Sequence, residues 1–137
     1  MKTKYFSLLS LNFFCFGKQI VTQFIVFECK YLFSIIFFYF HKTNGVQDRF
    51  HTHAFNALSI RIFGDYTEEF LDENTLEITS AQRKRKRFLY IPRNSFHRIT
   101  KSTGCLTLLI SGRWKKTWKE YKDDNFTVYN WNRKIEK

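Results

Sequence analysis

Short runs of β-branched and aromatic residues, each closed within a few positions by a turn signal, recur along most of this chain. Gln19–Glu28 and Tyr31–His41 flank a tight turn near Cys29-Lys30, and Thr43-Asn44-Gly45 is the next turn. Phe50–His53, Leu58–Phe63, Tyr66–Leu71, Thr75–Thr79, Phe88–Ile91, Phe96–Thr100, Cys105–Ser111 and Val128–Trp131 read as further strands. Aromatics make up 20% of the chain, 17 of them phenylalanine, which suits pleated surfaces far better than helices. About nine short strands joined by short turns predict a sandwich or barrel. With 137 residues, one proline and five glycines, the chain has the size of a single domain and little material for linkers.

Strand alternation predicts faces. Leu58, Ile60 and Ile62 are expected inward, with Ser59 and Arg61 outward; Leu106, Leu108 and Ile110 are likewise expected inward. Counting by twos from His51 and His53 gives the opposite parity, so a bend or bulge is expected at Ala54–Ala57.

Arg49-Phe50-His51-Thr52-His53-Ala54-Phe55-Asn56-Ala57-Leu58 is the stretch with chemistry in it. Two histidines one residue apart on a strand point the same way, so their imidazoles can converge on one point, as metal ligands must. His97, in Pro92-Arg93-Asn94-Ser95-Phe96-His97, is the candidate third ligand. His41, Asn56 and Glu69 are candidates for a fourth ligand or a supporting partner.

The formal charge is +11, from 23 basic and 12 acidic residues. This balance favours contact with nucleic acid, another polyanion or an anionic surface. The run Arg83-Lys84-Arg85-Lys86-Arg87 is the candidate polyanion contact; its plainer use is a charged edge that blocks sheet-to-sheet aggregation. Trp114, Trp118 and Tyr121 lie among Arg113, Lys115, Lys116 and Lys119, and are expected to cap the open end of a barrel rather than stack bases.

Cys15, Cys29 and Cys105 are odd in number and lie in apolar runs, as free thiols of a reducing, cytoplasmic compartment would. Met1-Lys2-Thr3-Lys4 before Tyr5–Gly17 has the outline of a signal peptide but no cleavage site follows. Neither it nor Phe24–Phe40, which carries Glu28 and Lys30, supplies the roughly 18 uninterrupted apolar residues of a membrane span. The expected organisation is an N-terminal apolar segment over residues 1–20, with secretion or membrane anchoring as its minor reading, and a single barrel domain over 21–137.

These residues resemble the motifs of the cupin superfamily. The first motif runs glycine, five residues, H-x-H, three or four residues, glutamate, six residues, glycine. His51-Thr52-His53 and the closing Gly64 match it; the opening glycine has only the nearby Gly45, and the glutamate position falls on Leu58 or Ala57. The second motif is matched by Pro92, Asn94 and His97, while Lys86 and Lys101 stand where a glycine and an asparagine are usual. A closer resemblance, over residues 24–135, is to small cupin-like proteins of phage and bacterial genomes, through Phe50–Ala57, Gly64–Glu69, Pro92, His97-Arg98, Gly112–Trp114 and Trp118–Tyr121.

The resemblance implies an all-β double-stranded β-helix, or jelly-roll barrel, with a pocket for a divalent metal. Three neutral imidazoles suit Fe, Zn, Mn, Ni or Cu and leave positions open for a small molecule. An oxygenase or isomerase is the implied enzyme. The alternatives are a metal-free jelly-roll binding or assembly module of viral origin and a basic protein that contacts nucleic acid. A homodimer is compatible with any of the three.

Overall fold

The structure is a computed structural model that describes residues 6–16, 19–44, 49–130 and 134–136. Met1–Lys4, Gly45 and Trp131 lie outside the described residues. Among the described residues there is no α-helix.

The strands are β1 (Phe6–Phe16), β2 (Gln19–Cys29), β3 (Ser34–Phe40), β4 (Phe50–His51), β5 (Ala57–Phe63), β6 (Tyr66–Leu71), β7 (Ile78–Gln82), β8 (Phe88–Ile91), β9 (Phe96–Ser102), β10 (Cys105–Ser111), β11 (Thr117–Lys122), β12 (Asn125–Asn130) and β13 (Lys134–Glu136). A 3-10 turn, Arg83–Arg85, follows β7. Among the described residues all strand pairings are antiparallel. One sheet runs β1-β2-β3-β10-β5-β8 and the other β13-β12-β11-β4-β9-β6-β7. Neighbours such as β3 and β10 or β4 and β9 are far apart in sequence, so the chain crosses repeatedly between sheets, as a jelly roll does.

The crossing from β5 to β6 explains one motif glycine. Gly64 has φ +82°, and a Cβ there would stand 1.9 Å from the carbonyl oxygen of Gly104. Only a residue without a side chain fits that turn.

The expected facing of β5 and β10 is corrected. Ala57 and Ser59 are buried inside, while Ile62 and Phe63 are exposed. In β10, Cys105, Thr107, Leu109 and Ser111 are buried and Ile110 is exposed. The chain does bend at Ala54-Phe55, within the expected stretch, but His51, His53, Phe55 and Ser59 all line the cavity, so the facing does not flip there. The physical reason is a partly polar interior. Ser59 Oγ accepts a hydrogen bond from Arg83, 2.9 Å away, so the serine is satisfied inside. Leu58 and Ile60 instead pair across the outer face with Ile110 and Leu108 on one side and Tyr90 and Phe88 on the other.

Two strands also shift from expectation. The strand placed at Thr75–Thr79 begins at Ile78, with Leu76 and Ile78 half exposed, because Asp72 Oδ1 accepts from the backbone of Asn74 and Thr75 and holds that stretch in a turn. The last expected strand, Val128–Trp131, is β12, which pairs with Thr117–Lys122.

Candidate metal centre

His51 ends β4, where it lies directly opposite His97 of β9. His53 follows in the loop to β5. That loop is tied twice to Lys119: Thr52 N donates to Lys119 O at 2.9 Å, and Thr52 Oγ accepts from Lys119 N at 2.8 Å. His53 also packs its ring on Phe55, centroid to centroid 5.1 Å. The three imidazoles form a triangle with centroid separations of 5.1, 4.6 and 5.0 Å. One nitrogen from each lies within 4.8 Å of the other two. His53 Nε2 and His97 Nε2 are 2.9 Å apart.

Glu68 of β6 fixes the orientation of His97. Its Oε2 lies 2.5 Å from His97 Nδ1, and the glutamate is buried. A carboxylate accepts, so Nδ1 carries a proton and Nε2 is the nitrogen turned to the centre of the triangle. Burial, followed by the nearby His97, lowers the pKa of His53 to about 3. Burial, with His97, His53 and Arg49 adding to it, also holds His51 well below the usual imidazole range. Both rings are therefore neutral at ordinary pH, the state that can donate to a cation.

The triangle faces a cavity of about 370 Å³ inside the barrel. Its walls are largely apolar, with Val21, Ile25, Ile36, Phe38, Ile99 and Leu109 among them. Glu28 and Lys30 also line it, as does Trp114. A smaller depression of about 190 Å³ reaches His51 and His53 from the side of Trp118.

The other residues singled out from the sequence lie elsewhere. His41 Nε2 is 2.7 Å from Thr22 Oγ and its ring packs edge-on to Tyr39. Asn56 is exposed, and its Oδ1 accepts from the backbone of Arg93 at 2.7 Å. Glu69 pairs with Arg98 at 2.8 Å on the opposite face of its strand. Glu68, one position earlier, is the supporting carboxylate that sequence reasoning missed; alternation with Tyr66, which also lines the cavity, is the signal that finds it.

The basic run divides. Arg83 is buried, donating to Ser59 Oγ and O, to Tyr66 OH, and to the carbonyls of Lys86 and Arg87. Lys84, Arg85, Lys86 and Arg87 are exposed. In the aromatic tail, Trp114 lines the cavity with Lys30 Nζ 4.6 Å from its ring centre, and Trp118 stacks on Tyr129.

No family model matches the chain, and no curated protein matches it in sequence. Solved structures do. The capsular polysaccharide assembling protein CapF from Staphylococcus aureus superposes with a TM-score of 0.57 at 12% identity, over 88% of this chain and 31% of that one. Bacillus subtilis oxalate decarboxylase superposes at pH 4.6 with a TM-score of 0.54 and 12% identity, over 95% of this chain and 32% of that one. A structure of the same enzyme concerned with its Mn(II) centres gives 0.55 and 11%, over 99% and 33%. This chain spans about a third of the length of these neighbours. Both are cupin-superfamily proteins, and the present chain has their all-β jelly-roll fold.

Among the described residues no helix is long and apolar enough to cross a membrane.

Proposed function

We propose that this chain is a cupin-fold metal protein. His51, His53 and His97 would hold one divalent cation, and the barrel cavity would admit a small molecule for oxygenase or isomerase chemistry. The observation that carries this is the cluster of three ring nitrogens, one from each histidine and all within 4.8 Å of one another, beside a cavity of about 370 Å³. Two ligands at right angles about a metal, each at about 2.1 Å, stand about 3.0 Å apart. His53 Nε2 and His97 Nε2 stand at 2.9 Å.

The donor set suits Fe, Zn, Mn, Ni or Cu, all of which accept imidazole. Manganese has a further argument in the Mn(II) centres of the oxalate decarboxylase that shares the fold. When bound, the cation supplies Lewis acidity and open coordination positions. The protein supplies the rest. Glu68 holds the His97 tautomer, Phe55 holds the His53 ring, and the apolar walls keep water away from whatever binds. Leu58, at the position where the cupin motif has its glutamate, belongs to the outer-face row with Ile110 and Tyr90, so the cluster is all-histidine with Glu68 behind it.

Elemental analysis of the purified protein tests the proposal. It should show about one equivalent of a transition metal, lost in the His51→Ala variant. Metal-free protein that takes up none on dialysis against Mn(II), Fe(II) or Zn(II) would refute it.

A further inference from the structure

The outer faces of the two sheets differ in kind. On the seven-stranded sheet, Glu69 lies opposite Ser80 on one side and Arg98 on the other, and Thr67 lies opposite Gln82 and Lys101. All six side chains are polar, as on an antiparallel sheet that faces water.

The six-stranded sheet shows the reverse. Phe88, Ile60, Leu108, Phe37, Phe24 and Leu11 stand opposite one another, one from each strand, in a row that crosses the whole sheet. Opposed residues of neighbouring strands share a face. It is the outer face, because Ser59, Thr107, Ile36 and Ile25, each one position away along its strand, line the cavity. A second row, from Tyr90 to Leu8, flanks the first on one side, and a third, from Phe63 to Phe13, flanks it on the other. Apart from Thr22 in the third row, every member of the three rows is aliphatic or aromatic. Much of this face is open: Phe88 is 62% exposed, Leu11 57% and Phe13 68%. An apolar surface this broad marks a face built to be covered.

We infer that this face packs against the same face of a second copy of the chain, sheet on sheet, in a two-fold dimer. The inference stands apart from the metal reading, since the histidine cluster belongs to the interior. Size supports the occupant. Six strands about 4.8 Å apart and three rows about 7 Å apart make a face of about 29 by 20 Å. Two such faces together remove about 1,200 Å² from water, which reaches the range of stable, specific interfaces. Shape and charge agree with it. Two pleated sheets interdigitate their side chains face to face, and a two-fold axis presents the same rows on both sides. The three rows carry no charged side chain, so a copy meeting a copy buries no unpaired charge. Nucleic acid is a poor match for the same reason, because phosphates need cations and the rows hold none.

Sedimentation velocity of the full chain tests the inference. The parent should sediment with the mass of two chains at about 10 μM. Phe24→Glu/Phe88→Glu places two charges on the face at side chains already exposed to water. Circular dichroism should show the strand content retained, while the dimer dissociation constant rises by about 100-fold or more. The single Phe88→Lys variant repeats the comparison with the least change to the fold. Gln82→Glu, on the polar outer face of the other sheet, should leave the dimer intact. A parent still monomeric at about 100 μM, a dimer that both face variants leave unchanged, or one that Gln82→Glu weakens equally would overturn the inference. So would a monomer that co-sediments with phosphatidylcholine vesicles, since a lipid surface is then what covers the face.

Discussion

Glu68 and His97 sit diagonally across the β6–β9 ladder, joined by a 2.5 Å contact between Oε2 and Nδ1. The contact decides which nitrogen of His97 faces His53, and so whether the three rings can serve one cation. Replacing Glu68 by Gln keeps the shape but gives up the charge that favours this tautomer. Metal affinity of Glu68→Gln should fall by about 10–100-fold. A competition titration against a chelator of known affinity reads the change; an unchanged affinity would mean that the glutamate has no such role.

Metal-free protein should lose stability in acid. The pKa of His53 is lowered from 6.5 to about 3 in the folded state, and His51 is lowered as well. Below about pH 6.5 the unfolded chain binds protons that the folded chain refuses. The contribution of the neutral rings is thus complete above that pH and is lost as pH falls towards 3. Thermal melts of the stripped protein between pH 7.5 and 4 should show a falling midpoint, and the fall should be shallower in His53→Gln. An equal slope in the variant would contradict the shift.

Arg83 belongs to the architecture. Its guanidinium closes five hydrogen bonds to Ser59, Tyr66, Lys86 and Arg87 in a buried position. Arg83→Ala leaves those acceptors unsatisfied and should cost about 3 kcal/mol or more. Lys84→Ala, next to it on the surface, should change stability by less than about 0.5 kcal/mol. Urea denaturation of the two variants separates them.

The three thiols should differ in reactivity. Cys15 is exposed; Cys105 is buried, and burial pushes its pKa up to about 11. Alkylation at pH 8 should modify Cys15 first and reach Cys105 only when the barrel unfolds. Peptide mapping after timed alkylation gives the order, and early labelling of Cys105 would count against the packing around it.

The pair His51 and His53 and a sandwich or barrel of short strands were legible from local patterns, H-x-H and apolar runs between turns, while the jelly roll and the motif place of His97 came from the resemblance to the cupin motifs. What alternation shows is which residues share a face. It leaves open which face is the interior. In β5 and β10 the apolar set Leu58, Ile60, Leu106, Leu108 and Ile110 reads as the buried one, yet the inner set includes Ser59, Thr107 and Ser111. Ser59 is satisfied inside by Arg83, and Ser59 and Thr107 border the cavity. Those are long-range facts that no window of ten residues contains. The same limit separates Glu68 from Glu69: alternation puts Glu68 on the face of Tyr66 and Glu69 on the other, and only the cavity makes the first of these faces the inner one.

X-ray absorption on the metal-loaded protein bears most directly on the whole account. It counts the imidazoles on the cation and gives their distances. The structure predicts three histidine rings with nitrogen at about 2.0–2.2 Å, and two in each of the His51→Ala and His97→Ala variants where any metal is retained. A spectrum dominated by oxygen ligands, or one left unchanged by those substitutions, would place the cation elsewhere and contradict the site.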